Sequence, residues 1–149
     1  MGAKTARDIS GYEFDWIACD GVGHVGFFST AGRGYAPEAF LQDTDAHDTA
    51  IEAILALPGS TDGQTETQTL SPFHHTWQLM AARGVFAFDA DPNGGPYRLE
   101  AAPANPIRVT DLPEAAATVA RRITLEGLDF SRVKVITGEL LMRASPGTE

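Results

Sequence analysis

The stretch from Asp15 to Pro37 constrains the fold of this chain more than any other. Apolar residues alternate along Tyr12–Cys19 and again along Val22–Ser29, a pattern that predicts two strands. The Asp20-Gly21 pair between them is typical of a two-residue hairpin turn, because both residue types tolerate positive φ. The small residues and glycines at positions 31–34 predict a loop. We therefore expect the core to start from an antiparallel hairpin.

The remaining sequence predicts about three helices and a second hairpin. One helix begins near Asp45, another at Ser71-Pro72 and a third at Asp111, each with a capping residue before an apolar stripe. The second hairpin is predicted over residues 85–101, because turn-forming residues at positions 91–96 separate two apolar segments. Since the helices fall between hairpins, we predict an α+β fold with a mainly antiparallel sheet built from hairpins and about three helices packed on it.

The length and composition favour one globular domain. A chain of 149 residues can bury one hydrophobic core, so a single domain over residues 1–149 is expected, with residues 1–11 and 144–149 as loose termini. The first residues lack an apolar signal segment, and no apolar run approaches the roughly 20 residues that cross a bilayer. Cys19 is the single cysteine, which excludes an internal disulfide. These features predict a cytoplasmic protein that does not associate with membranes.

The negative charge is concentrated in residues 34–82. This block of 49 residues holds seven acidic and no basic side chains, and the whole chain has a net charge of −9. Binding a nucleic-acid backbone requires Lys and Arg, so we expect no nucleic-acid partner. The block suits a basic protein partner, but a surface that keeps the domain soluble is the favoured explanation of the charge alone. The candidate partner-binding residues are Asp43, Asp45, Asp48, Glu52, Asp62 and Glu66.

Two motifs suggest a nucleotide or a calcium ion, but neither fits its surroundings. Residues 21–26 match G-x-G-x-x-G, yet that fingerprint requires a helix to begin inside it, and here a strand pattern continues. Asp89, Asp91, Asn93 and Glu100 follow the spacing of a calcium loop. No helix is predicted before Asp89, so turn residues of a hairpin are the favoured interpretation. We predict no cofactor.

The histidines do not predict a metal centre or a catalytic group. His74 and His75 are adjacent and diverge by about 100° on a helix, whereas a metal pair on one helix face needs i, i+4 spacing. The chain has no G-x-S-x-G nucleophile elbow, so no catalytic residue is assigned. One alternative stays open, in which the loop Ser29–Gly34 with His24, His74 or His75 forms the site of a small enzyme or ligand-binding domain.

Two segments taken together resemble a family of small bacterial proteins. The first is centred on Gly23–Gly32, and the second runs from Arg83–Asp89 through Tyr97–Leu99 to Pro106–Val109. In order and spacing the likeness extends over about residues 12–115. Members of this family are similar to immunity proteins encoded beside polymorphic toxins.

The resemblance implies a non-catalytic binding protein that blocks one toxin or effector domain. Many toxin domains attack nucleic acid and are basic, so the acidic block is expected at the interface. A structural or regulatory homo-oligomer, for instance a homodimer, is the first alternative. The ligand-binding or enzymatic domain at Ser29–Gly34 is the second.

Overall fold

A computed structural model describes residues 3–59, 64–65 and 75–144 of the chain. In this part the strands are β1 (Asp15–Asp20), β2 (Val25–Ser29), β3 (Gln64–Thr65), β4 (Phe86–Ala90), β5 (Tyr97–Ala102), β6 (Thr124–Leu125) and β7 (Val135–Ile136). The helices are α1 (Ala6–Ile9), α2 (Glu38–Leu41), α3 (Thr44–Leu55), α4 (His75–Ala82), α5 (Glu114–Arg121) and α6 (Gly138–Ala144).

The fold is α+β, as predicted, but the sheet is mixed. Its strand order is β3-β5-β4-β2-β1-β6, and β7 pairs with β5. Among the described strands, β1–β2, β3–β5, β4–β5 and β5–β7 are antiparallel, whereas β2–β4 and β1–β6 are parallel. The prediction of a mainly antiparallel sheet is therefore only partly correct. The three predicted helices correspond to α3, α4 and α5, and the described residues add three helices of four to seven residues.

The parallel pair at the centre of the sheet explains the difference. Among the described residues after β2, the chain forms α2, α3, the short β3 and α4 before it enters β4 beside β2. Helices between two strands of one sheet make a crossover, and a crossover brings the second strand back parallel to the first. The two predicted hairpins, β1–β2 and β4–β5, are present and antiparallel.

The first hairpin turns through three residues, not through the predicted two. The backbone N–H of Asp20 donates to the His24 carbonyl at 3.0 Å, so residues 21–23 form the loop. Gly23 has φ +102°, whereas Gly21 is not among the residues with positive φ. A three-residue hairpin loop places its left-handed residue last, next to the returning strand, which explains why Gly23 carries the positive φ.

Two hydrophobic clusters cover opposite faces of the sheet. On one face, Ile17, Phe27 and Ala87 pack against residues of α3, α4 and α5. On the other face, aromatic residues of the strands pack against α1, α2, α6 and residues 125–130. Trp16 and Phe28 stack there with ring centroids 4.1 Å apart. Because both faces are covered, the central strands are apolar on both sides.

Helix starts differ from the predictions by a few residues. Asp43, not Asp45, caps α3, and its side chain accepts the Ala46 N–H at 3.1 Å. Asp111 does not cap α5, because its carboxylate accepts the Arg108 N–H at 3.0 Å within a 3₁₀ turn over Val109–Asp111. The predicted start of the second helix at Ser71-Pro72 lies outside the described residues.

The N-terminal segment forms a short helix in this structure. Thr5 caps α1, and Ile9 is buried in the second hydrophobic cluster. Of the C-terminal residues predicted to be loose, 145–149 lie outside the described part. None of the helices in the described ranges has the length and apolar content that crossing a membrane requires.

Candidate functional site

A row of polar side chains crosses three neighbouring strands at one end of the sheet. Asp15 on β1 pairs in register with Ser29 on β2, and Ser29 pairs with Asp89 on β4. Residues in register on adjacent strands place their side chains on the same face. The next row along the same face is Ile17, Phe27 and Ala87, which lies in the cluster under α3, α4 and α5. Asp15 and Asp89 therefore lie on the same face of the sheet as the apolar core residues, at the edge of that core.

This row forms the floor of a cavity of about 490 Å³ beside the first turn of α4. Its polar lining comes from the row itself, from Glu13 just before β1 and from Thr76 on α4. Trp77 and Phe27 supply the aromatic wall. Ligand sites commonly have volumes of about 300–1,000 Å³ and a few convergent polar groups on an apolar lining. The cavity has both properties.

The carboxyl groups of the cavity have raised pKa values. Burial raises the pKa of Asp15 to about 7, and its hydrogen bond and charge repulsion with Glu13 act in the same direction. Burial also raises the pKa of Asp89 to about 7, with further contributions from the Glu100 and Asp15 carboxylates. Burial raises the pKa of Glu13 as well, although its hydrogen bond with Asp15 opposes the shift. Near neutral pH the cavity thus holds both protonated and ionised carboxyl groups.

Few hydrogen-bond donors of the described residues serve these carboxyl groups. The Ser29 hydroxyl accepts the Trp77 indole N–H at 3.4 Å. Hydrogen bonding with Ser29 acts to lower the pKa values of Asp15 and Glu13, but burial outweighs it. Oδ1 of Asp15 is wholly buried and accepts no hydrogen bond within the described ranges. An unmatched buried acceptor is costly, so the site is suited to an incoming donor.

The predicted partner-binding residues divide into three groups. Asp45, Asp48 and Glu52 are exposed on α3 at positions i, i+3 and i+7, so they form one acidic stripe. Asp43 caps the helix, and its carboxylate lies 3.8 Å from the Arg122 guanidinium. Asp62 and Glu66 lie outside the described residues.

The acidic stripe and the cavity are electrostatically connected. Partial burial raises the pKa of Asp48, and the Asp45 and Glu52 carboxylates raise it further. The Asp48 carboxylate also contributes to the raised pKa of Asp15. Negative charge therefore extends from the exposed side of α3 to the floor of the cavity.

The loop Ser29–Gly34 borders two cavities. Ser29 and Ala31 line the cavity of about 490 Å³, whereas Thr30 and residues 32–34 line a second one of about 290 Å³. Of the histidines named with this loop, His24 is the one whose side chain the structure describes, and it does not reach the loop. His24 lies at the opposite end of β2, His74 lies outside the described residues, and so does the side chain of His75.

His47 is a buried residue of α3 and has a structural role. Its Nδ1 accepts the Ile17 N–H at 3.1 Å. The short strand β6 pairs only with Cys19 and Asp20 of β1, so it does not extend to Ile17. Burial lowers the pKa of His47 to about 4, so the ring is neutral at ordinary pH. His47 thus supplies the acceptor for the Ile17 N–H, while its Nε2 is buried without a hydrogen-bond partner among the described residues.

The described residues also bring Asp20, His24 and Asp129 together with ligand atoms within 4.8 Å of one another. The Asp20 carboxylate is already saturated with donors. Its Oδ1 accepts the N–H groups of Val22, Gly23 and His24 at 2.8–3.0 Å, and its Oδ2 accepts the Phe130 N–H at 2.7 Å. His24 Nδ1 lies 3.3 Å from Asp20 and 3.4 Å from Asp129. These bonds explain the burial of Asp20 without an ion.

The two rejected motifs have the structures expected of turns. Of the glycine fingerprint over residues 21–26, residues 21–23 form the hairpin loop, residues 25–26 belong to β2, and no helix begins there. In the calcium-like segment, the Asp91 carboxylate accepts the Asn93 N–H at 3.1 Å at the turn between β4 and β5.

Sequence reasoning missed Asp15, Asp89 and Trp77 as site residues. A signal was present, because Asp15 and Asp89 stand at strand positions that share a face with Ile17 and Ala87. Their proximity depends on the parallel β2–β4 pairing, which the local pattern does not reveal. No family model, no curated protein and no solved structure matches this chain.

Proposed function

We propose that this chain is a non-catalytic binding protein for a basic protein partner, an immunity-type inhibitor of a toxin or effector domain. The observation that supports it is the acidic stripe of Asp45, Asp48 and Glu52. Within the described ranges none of these three carboxylates forms an ion pair with Lys or Arg. Their mutual repulsion is relieved when a positively charged surface docks against them.

The stripe suits an interface because the helix that carries it is rigidly held. Ala50, Ile51 and Ile54 bury the opposite side of α3 against the sheet. The three carboxylates therefore project from a fixed position, and a partner need not order a loop to bind them. Electrostatic complementarity of this kind mainly increases the association rate and makes it sensitive to salt.

Co-expression with the product of the neighbouring gene tests the proposal. The gene is expressed alone and together with this chain, and growth is followed, with size-exclusion chromatography for a complex. We expect the chain to restore growth and to form a stoichiometric complex whose association rate falls as salt is raised. A neighbouring product that is not toxic and does not bind would refute the proposal.

Matched charge variants locate the interface. Asp45→Asn, Asp48→Asn and Glu52→Gln together remove three charges from the stripe. The control removes three exposed charges elsewhere, with Glu114→Gln, Glu126→Gln and Glu139→Gln. We expect the stripe variant to reduce the association rate at least tenfold and the control to change it less than twofold, measured by surface plasmon resonance.

A second candidate function is a small ligand-binding domain or enzyme that uses the cavity bordered by Ser29. The raised pKa values of Asp15 and Asp89 in a cavity favour it, because acid–base sites are arranged in this way. Thermal-shift screening of a small-molecule collection at pH 6 and pH 8 tests it. Compounds that raise the melting temperature of the wild type but not of Asp15→Asn support this function. The absence of any stabilising compound at either pH counts against it.

A further inference from the structure

We infer that the cavity between β1, β2, β4 and α4 receives an ammonium or guanidinium group, namely a Lys or Arg side chain of the basic partner. The inference rests on the proposed function and gives its interface a specific anchor. The acidic stripe would steer the partner, and the cavity would hold one of its side chains.

The charge of the cavity selects a cation. Three carboxyl groups line it, from Glu13, Asp15 and Asp89, and the described lining residues include no Lys or Arg. An entering anion would meet repulsion from every ionised carboxylate. An entering cation supplies N–H donors, and the wholly buried Oδ1 of Asp15 is an acceptor without a bond among the described residues. A charge-assisted hydrogen bond at this atom would satisfy it.

The spacing of the carboxyl groups favours an organic cation over a metal ion. Asp20, His24 and Asp129 are the described residues whose ligand atoms all lie within 4.8 Å of one another, and the three carboxyl groups of the cavity do not form such a group. A metal ion needs its oxygen ligands about 2.0–2.6 Å from one centre. A guanidinium or ammonium group spreads its donors outward and fits more widely separated acceptors.

The aromatic wall also fits a Lys or Arg side chain. Trp77 and Phe27 line the cavity beside the carboxyl groups. An aromatic ring attracts a cation over its face, and Trp does so most strongly. The alkyl part of the side chain would pack against the same rings, as long basic side chains commonly do. The cavity thus offers an apolar wall for the stem and acceptors for the charged end.

Binding of a cation here should release protons. Burial keeps the carboxyl groups of Asp15 and Asp89 partly protonated near neutral pH, and a positive charge in the cavity lowers their pKa values. We therefore expect tighter binding at pH 8 than at pH 6. The proton release is measurable as a dependence of the calorimetric heat on the ionisation enthalpy of the buffer.

The first experiment uses small probes on the full chain. Butylammonium and ethylguanidinium are titrated against ¹⁵N-labelled protein at pH 8, with butanol and butyrate as neutral and anionic controls. We expect the two cations to shift the Trp77 indole N–H and the Ser29 and Asp89 amide signals. Asp15→Asn should weaken this binding at least tenfold, whereas Glu139→Gln, which removes an exposed charge on α6, should leave it within twofold. The absence of cation-specific shifts would overturn the inference.

The second experiment separates this inference from the proposed function. Asp15→Asn and Asp89→Asn are tested for affinity to the neighbouring gene product, with melting temperature as a check on folding. At least a tenfold loss of affinity in folded variants supports the inference. Unchanged affinity overturns the inference and leaves the proposed function standing. If the wild type forms no complex at all, both fail. If the probes bind but the partner ignores both variants, the cavity serves a free amine, which overturns the inference and favours the second candidate.

Discussion

A pair of aspartates lies at each end of the β1–β2 hairpin, Asp20 with Asp129 at the turn and Asp15 with Asp89 at the open end. The two pairs differ in their hydrogen-bond partners. At the turn, the buried carboxylate of Asp20 accepts four backbone N–H groups and contacts His24. At the open end, Asp15 shares its hydrogen bonds with Glu13 and Ser29, and one of its oxygens has no partner among the described residues. Both Asp15 and Asp20 are largely removed from solvent, but enough N–H donors to satisfy the carboxylate are present only for Asp20 among these two.

This difference separates a structural carboxylate from a candidate functional one. Backbone N–H donors stabilise an ionised carboxylate and make its burial favourable. A buried carboxyl group without enough donors is unfavourable when ionised, which is a cost to the folded chain. Such a cost is characteristic of binding sites, where the ligand supplies the missing interactions.

The largest expected effect is at the turn. Asp20→Ala removes the acceptor for four backbone N–H groups, two of them in the loop and one on Phe130 across the fold. We expect a loss of about 3–5 kcal/mol in the free energy of unfolding, measured with urea, as for other broken buried charge networks. Asp91→Ala is the control, since Asp91 is also a turn aspartate but accepts one N–H, from Asn93. A loss at Asp20 no larger than at Asp91 would contradict the assignment.

At the open end of the hairpin, replacing the aspartate should increase the free energy of unfolding instead of lowering it. Asp15→Asn keeps the shape of the side chain and removes the charge that burial disfavours. One pKa unit corresponds to about 1.4 kcal/mol, and after allowance for solvent screening we expect a gain of about 1–2 kcal/mol at pH 8. The gain should shrink as the pH falls below about 7 and vanish below pH 3.8, where the wild-type group is protonated in both the folded and the unfolded state. A variant less stable than the wild type at pH 8 would argue against a strained carboxyl group.

The pH dependence of stability sharpens the same contrast. The folded pKa values of Asp15 and Asp89 are raised from 3.8 to about 7, so the folded state binds more protons than the unfolded state between these values. The stability contributed by their protonated forms is complete below pH 3.8 and is lost as pH rises to about 7. The unfolding free energy of wild type minus that of Asp15→Asn/Asp89→Asn should therefore fall over this range and be flat above it. An upward slope would contradict the burial of these groups.

The smallest expected effect belongs to the second aspartate of the turn site. Asp129 contacts His24 from the more exposed side, and its hydrogen bond with Ser131 holds its pKa below the usual range. Asp129→Asn retains an acceptor for Ser131 and leaves the donors of Asp20 in place. We expect a melting temperature close to that of the wild type. A large fall would show that Asp129, and not Asp20, organises the turn site.

Local patterns in the sequence were sufficient for the hairpins and the longest helices. The alternation around Asp20 and the apolar stripe of α3 depend on neighbouring residues, and both were predicted. The candidate site could not be predicted in this way, because Asp15 and Asp89 meet through a pairing between β2 and β4. That pairing depends on how α3 and α4 pack on the sheet. Burial of both sheet faces also concealed which aspartates face the core.

The sheet topology has a consequence for the synthesis of this protein. The β1–β2 hairpin emerges first, but β4 completes one of its edges only after residue 86, and β6 reaches the other only at Thr124. Until then both edges of the hairpin are unpaired, and the apolar rings of Trp16 and Phe28 lack the later residues that cover them. Exposed edges and apolar surface of this kind favour aggregation during translation. We therefore expect a nascent chain stopped before Thr124 to depend on chaperones, and release of the full chain to end that dependence.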